Sequence, residues 1–377
     1  MGRSCGRLPD GPGGVRMTGR RKTVRGRSGP PAKATAAPAA AIQAHGLLFA
    51  LNAATLAIEH VSANTRALLG RPPEAIVGGS IVDYVDADFV RALAAFGAKP
   101  GGVAGPFGRV SLRGAADGLG WRAASHRCGD TITLELAPVP ADSPDLDGFM
   151  FEANAALRAV RDHAGIDATA TAVARRLREM TGYERVMVLR FDAEEHGEVI
   201  AESKAPSAGA PLLGIHFSAD EIPSWARELA LQNPVRMIND VTMPPVPLVP
   251  PENPDAPLDL SEAILRAPAQ SQVQLLAGLG ARAALLMSLV WDRRLWGLII
   301  FLHRAPRRLS LPHRSTLQLM ADAIAVRFAA AESQEREREL ARRRRALAAL
   351  RGALDRESGD SVGAMLRRNG RALMRIV

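Results

Sequence analysis

Few side chains in this 377-residue sequence have the type and spacing to do chemistry. The two cysteines, Cys5 and Cys128, show no metal-ligand spacing and no pairing pattern, so a reducing compartment is the default expectation. His45, His216 and His303 stand apart, with no nucleophile–base set or metal-ligand set around them, and each reads as structural. An enzyme is not expected. The stretch richest in signals runs from Leu212 to Arg266. Its first half, LLGIHFSADEIPSWARELALQNPVRMINDV, predicts a turn feeding an amphipathic helix. Asp220 is the expected N-cap, Glu221 falls in the positive first turn, and Pro223 is tolerated there. Leu229 continues the apolar face begun near Trp225, and Asn233-Pro234 ends the helix. The second half, PPVPLVPPENPDAPLDLSEAILR, is a Pro-rich excursion too long for an ordinary connection, and such loops are functional or disordered.

The elements that must position this stretch follow from composition and periodicity. The length of 377 residues gives room for two or three domains, and a hydrophobic content of 47% is enough for real cores. The net charge of +9 sits on the ends: residues 1–40 hold nine Lys/Arg against one Asp, and residues 335–377 hold twelve Arg against six acids. The folded middle is therefore mildly acidic, and nucleic-acid binding is not expected. No apolar run approaches a membrane span and no apolar h-region follows the N-terminal charge, so a cytoplasmic protein is expected. Residues 1–40 are Gly, Pro, Arg and Ala and predict a disordered arm, in which Met17 is an alternative start to Met1.

From Ile42, IQAHGLLFALN predicts a strand, and LAIEHVSANTRALLG a strand running into a small helix that begins at Asn64 and ends at Gly70. Further strands are expected near 107–113, 119–126 and 131–139, then a linker. Helices over about Glu152 to His163 and Asp167 to Met180 precede two strand pairs. These are ERVMVLRFD with HGEVIAES, and AALLMSLVW with LWGLIIFLH, the latter joined by Asp292-Arg293-Arg294. From Ser315 a long helix carries Leu317, Met320, Ile324 and Phe328 on one face and Leu340, Leu347, Leu350 and Leu354 at heptad-like spacing. The fold class is α+β.

Several segments in order, LGIHFSADEIP, NPVRMINDV and PVPLVP…NP…PLDLSEAILR, closely resemble the chromophore-binding GAF domain of bacterial phytochromes. IQAHG followed by VSANTRALLG resembles the PAS domain that precedes it, with Ala44 in place of the usual Pro. The resemblance implies antiparallel sheets with flanking helices. It also implies a disordered basic arm at 1–40, a PAS domain at 41–140, a linker at 141–151 and a GAF domain at 152–331. Residues 332–377 become a signalling helix and the start of a PHY domain that stops at Val377, with no kinase following. It further implies that the chain before the PAS domain threads through a lasso, about Met237 to Leu265, with Ile42 packed against Val246 or Leu248.

The same resemblance implies a pocket for a linear tetrapyrrole such as biliverdin. Arg236 and Arg266 match the arginines that hold its propionates, although each could equally cap a helix or pair with Asp240 or Glu262. Glu221, Ile222 and Pro223 stand where the family has the DIP segment whose backbone faces the pyrrole nitrogens. Gln272 takes the place of the pyrrole-water His, and Leu302 that of the His bonding the rotating ring, with His303 adjacent. Ala284 and Leu286 replace hydroxyls, while Leu189, Phe217 and Leu275 stand where Tyr is usual and Ala230 is a further candidate. The family's attachment cysteines have no counterpart, so any bilin would be bound non-covalently. Two readings stay open. One is a red/far-red photoreceptor module with a bilin in the GAF domain. The other is a light-independent PAS–GAF dimerisation module with no chromophore. In both, the C-terminal helix is expected to pair with its copy in a homodimer that signals to a downstream protein.

Overall fold

The computed structural model describes residues 40–99, 107–115, 120–139, 145–161, 163, 165–251 and 258–356. The expected basic arm with Cys5 and Met17, and the segment from 357 onward expected to begin a further domain, lie outside the described residues.

Two sheets organise the chain. Strands β1 (Ala41–Ile42), β2 (Leu47–Asn52) and β3 (Ile58–Ser62) lead to helix α1 (Thr65–Leu69) and helix α2 (Ala87–Gly97). Strands β4 (Gly108–Val110), β5 (Trp121–Cys128) and β6 (Thr131–Pro138) complete this N-terminal half. Strand alternation splits β6 cleanly. Ile132, Leu134 and Leu136 enter the core beside Phe49, Leu51 and Leu93, while Thr133, Glu135 and Ala137 face the other way. Helix α1 ends where expected, at Gly70 with φ 69°, a left-handed conformation that glycine adopts without strain. Asn64 occupies the N-cap position but does not cap. Its Nδ2 instead donates to the carbonyls of Ala44 and Gly46, tying the helix start to the incoming chain.

Helices α3 (Leu146–Arg161) and α4 (Ile166–Thr181) follow. Helix α3 starts inside the stretch expected as a linker, because the Asp145 carboxylate accepts the Gly148 N–H and Phe149 is already buried edge-on against His313. Strands β7 (Arg185–Phe191), β8 (Gly197–Lys204) and β9 (His216–Phe217) precede helix α5 (Ser224–Gln232) and strands β10 (Val235–Ile238) and β11 (Val246–Val249). Helix α6 (Gln270–Gly278), strands β12 (Ala283–Trp291) and β13 (Arg294–His303) and helix α7 (Leu311–Arg356) end the described chain. The second sheet has the order β10-β12-β13-β7-β8-β9. Its β12–β13 hairpin turns on Asp292 and Arg293 alone, both at positive φ, the two-residue turn that matches strand twist, so Arg294 belongs to the strand. Helices α3, α4 and α7 cover one face, where Leu317, Met320, Ile324 and Phe328 are buried as their spacing predicts. Glu332 still meets Arg190 and Trp296, and Glu335 the Ile166 N–H; further along helix α7, Leu340 and Leu347 are exposed.

The first sheet recruits strands from elsewhere in the chain. Its order is β1-β11-β3-β2-β6-β5-β4, so β11, from the Pro-rich excursion, inserts between β1 and β3. Ile42 pairs with Val246 and is wholly buried with Leu248, Leu260 and Leu265. On the other side Gln43 N–H donates to the Leu265 carbonyl and Ala267 N–H to the Ala41 carbonyl. Residues 41–43 are therefore flanked on both edges by the two arms of the excursion, the threading that the family resemblance implies. Gly46 permits it: a Cβ there would lie 2.6 Å from Leu265 Cδ1 and 2.8 Å from the Leu136 carbonyl.

Candidate functional site

The face of the second sheet turned away from helices α3, α4 and α7 carries the residues of interest. On β10, Val235 and Met237 point to the helices, so Arg236 and Ile238 point to this opposite face. Their partners across the ladder are Leu286 and Ala284, on the same face. Leu298 and Leu302 of β13, Met187 and Leu189 of β7, Val199 of β8 and Ile215 join them in one buried cluster. Phe217, Ile222, Ala230 and Leu279 pack against its edge.

Arg236 and Arg266 are brought together here. Burial, and then the neighbouring Arg266 charge, push the Arg236 guanidinium down to about 10. Neither carboxylate considered from sequence serves Arg236. Asp240 is taken by Arg282, at 2.6 Å, and Glu262 lies in the field of Arg314. No carboxylate among the described residues pairs with Arg236. Arg236 sits against a second positive charge, and a carboxylate is the group that relieves it. The strand and the end of the excursion thus offer a carboxylate-sized electrostatic demand.

The remaining expected site residues fare differently. Helix α5 begins at Ser224 with Pro223 in the N-cap position and no side-chain cap, so Asp220 is not the N-cap and Glu221 is not in the first turn. Glu221 instead closes the preceding turn on itself, its Oε2 accepting the Ser218 N–H at 2.8 Å and the Ser218 hydroxyl at 3.2 Å. This carboxylate is exposed, while Ile222 and Pro223 are half-buried at the edge of the aliphatic cluster. Arg227 donates to the Ile222 carbonyl and pairs with Glu195, which fastens the loop. The helix still ends at Asn233, as expected.

Gln272 lies in the first turn of α6, where its Oε1 accepts the Ala269 N–H at 3.1 Å. Its acceptor is spent on the helix start, a use that the residue's spacing from Ala269 allows. His303 is on the wrong face. It follows Leu302, so alternation turns it toward the helices, where its ring meets Tyr183 at 6.0 Å and its Nδ1 lies 4.0 Å from Glu184. Burial first, with Arg307 and Arg304, lowers its pKa against the opposing pull of Glu184. Leu275, expected in the pocket, is 38% exposed. Cys128 is at the end of β5 in the other sheet, its Sγ 3.6 Å from Asp259.

Sequence reasoning overlooked Gln43 and Glu135. Gln43 reaches from the threaded segment to the Met237 carbonyl at 2.7 Å and the Asn239 N–H at 2.9 Å, both buried. A glutamine next to a buried isoleucine in an otherwise apolar entry strand was the available signal. No group of ligands that could hold a metal occurs among the described residues, and no described helix is long and apolar enough to cross a membrane.

Comparison with known proteins agrees with this architecture. The PAS fold model matches residues 34–139 and the GAF domain model residues 165–331. Phytochrome-like protein Cph1 of Synechocystis is 34% identical over 305 residues, covering 78% of this chain and 40% of that protein. The chromophore-binding domain of the bacteriophytochrome RpBphP3 from R. palustris is similar at a TM-score of 0.70 and 31% identity, covering 78% of this chain and 96% of that domain. A longer RpBphP3 structure gives a TM-score of 0.75 at 30% identity, covering 90% of this chain and 68% of that one. The chain spans well under half the length of the curated relatives it matches.

Proposed function

We propose, from the premise that this chain belongs to the phytochrome family, that it is a red/far-red photosensory module whose second domain holds a linear tetrapyrrole without a covalent bond. The observation that carries this reading is Arg236, a partly enclosed guanidinium with no carboxylate partner among the described residues, set beside Arg266. A propionate would supply the carboxylate that Arg236 lacks among the described residues, held through parallel N–H donors, with the second propionate toward Arg266. A bound tetrapyrrole supplies absorption of visible light. The protein's own part is to anchor its carboxylates with Arg236 and Arg266, to exclude water with the aliphatic wall, and to line the other edge with Ile222 and Pro223.

The fit is good at the carboxylate end and poor at the ring end. Leu302, 4% exposed, and Ala284, fully buried, offer no hydrogen bond to a ring carbonyl or carboxylate, and Gln272 is engaged with Ala269. A buried polar atom without a partner costs roughly 1–3 kcal/mol. This supports weak, non-covalent retention. The only two cysteines, Cys5 and Cys128, lie outside the second domain, which favours the same mode. The division into a PAS domain at 41–140, a GAF domain at 152–331 and a signalling helix from 332, with a homodimer formed through that helix in the cytoplasm, belongs to this proposal.

A second reading is favoured by the continuous aliphatic cluster on this face, in which Leu302 pairs with Ala284 and Leu298 with Leu189: a PAS–GAF regulatory scaffold that carries no pigment. Co-expression with biliverdin, followed by an absorption spectrum and acid denaturation, separates the two. The photoreceptor reading expects a red band that changes on illumination and a pigment released on denaturation. A colourless protein that remains folded defeats it.

A further inference from the structure

We propose that Glu135, from the first domain, is the positioning residue for Arg266, clasping the end of the lasso so that the Arg236–Arg266 pair stands ready for a carboxylate. The inference rests on the reading that this pair receives the carboxylates of a tetrapyrrole.

Glu135 is anomalous for its place. It lies on β6 between Leu134 and Leu136, is 2% exposed, and points at the apolar contact formed by Leu48, Ala137, Leu260, Ala263 and Leu265. A leucine would pack there at no electrostatic cost, whereas a carboxylate must find donors. It finds two consecutive backbone amides: Ile264 N–H at 3.0 Å from Oε1 and Leu265 N–H at 2.6 Å from Oε2. These are the two residues immediately before Arg266. The opposite side of this segment is held by the thread, since Gln43 N–H donates to the Leu265 carbonyl and Gln43 Nε2 reaches the Arg266 carbonyl at 3.3 Å. The backbone from which the Arg266 side chain departs is therefore gripped from one side by the first domain and from the other by the threaded strand. Gln43 also ties this segment to β10, through the Met237 carbonyl and the Asn239 N–H, whereas Glu135 bonds only the Ile264 and Leu265 amides, so a change in the Glu135 grip acts on the Arg266 side of that tie.

The charged groups around Glu135 come from three elements. His126 of β5 has its Nδ1 at 3.7 Å, Arg314 of α7 contributes its field, and Asp259 and Glu262 of the lasso act on those two in turn. Burial pushes the Glu135 carboxyl up to about 7, against the two amides and Arg314, and holds His126 down at about 4. Near neutrality His126 stays uncharged while Glu135 changes charge.

The test follows the amides of Ile264 and Leu265 and the Nε–H of Arg266 by nitrogen-15 NMR of the deuterated, pigment-free full chain, from about pH 5.5 to about pH 8.5, bracketing the raised carboxyl. In the wild type all three signals should titrate together with a midpoint near 7; in Glu135→Gln none should. Biliverdin affinity should fall about tenfold in Glu135→Gln, the effect of one mispositioned charged contact. If the two amides titrate and Arg266 does not, or if Arg266 titrates unchanged in Glu135→Gln, the positioning role is overturned. If none titrates, it is overturned as well. If Arg266 follows Glu135 but the wild type takes up no biliverdin, the tetrapyrrole reading falls and the positioning role stands. Should Glu135→Gln fail to fold, Glu135→Asp serves: its shorter arm keeps the charge and cannot span both amides, so the Arg266 midpoint should shift and its signal broaden. An Arg266 signal identical to wild type in that variant would refute the proposal.

Discussion

Replacing Glu135 by glutamine should change how stability depends on pH, by an amount that the structure sets. Burial raises this carboxyl from 4.5 to about 7, because the apolar contact penalises the charged form more than two amides and Arg314 favour it. A folded-state value above the unfolded one means that the native protein holds the proton more tightly. The stabilisation is fully present below about pH 4.5 and is lost as pH rises through about 7, and the shift corresponds to about 3 kcal/mol. Glutamine keeps the shape, has no charge to bury, and presents an amide group where one backbone N–H needs an acceptor, a pH-independent cost of about 1–3 kcal/mol. The wild type should therefore be the more stable chain at about pH 5, and its lead should shrink or reverse by about pH 8, most of the 3 kcal/mol swing falling in that interval. Urea unfolding of both chains at four pH values measures the difference directly. His45, held at about 3 by burial, titrates in both chains and cancels, and His126, 3.7 Å from Glu135, is held at about 4, below the pH interval compared. A gap that stays constant within about 0.5 kcal/mol from pH 5 to pH 8 would refute the argument, since independent sites add to within that error.

Three further outcomes are expected. Ile42→Ala, emptying a fully buried site between β11 and the lasso end, should cost about 2–5 kcal/mol in unfolding free energy and raise protease sensitivity in the excursion. Leu302→His should destabilise the pigment-free protein by about 1–3 kcal/mol, because an imidazole at a 4% exposed aliphatic site has no partner, and should tighten biliverdin binding if a ring carbonyl meets it there. Replacing both Leu340 and Leu347 by Glu should convert a dimer to a monomer in light scattering without lowering the melting temperature of the domains, since both leucines are about half exposed beyond the body.

Much of the fold was legible because its signals are local. The apolar runs of β7, β12 and β13, the αL glycine after α1, the stop at Asn233 and the apolar face of α7 are all written within a few residues, and the structure contains each of them. Threading was legible only through family resemblance, and the burial of Ile42 between Val246 and Leu265 agrees with it. The errors are those of neighbouring chemistry. Asp220 looked like a cap, but Glu221 folded back onto Ser218 and Pro223 took the N-cap position. His303 looked like a pocket residue until strand alternation put its side chain on the far face with Tyr183.

The sequence by itself determined which elements form and that the second domain carries no cysteine. These are properties of residue type and short-range spacing. Tertiary structure alone decided that Arg236 has Arg266 and, among the described residues, no carboxylate beside it, and that Glu135 grips amides 129 and 130 positions further along the chain. Such pairings depend on which surfaces meet after the chain has threaded itself, and no periodicity in the sequence encodes them.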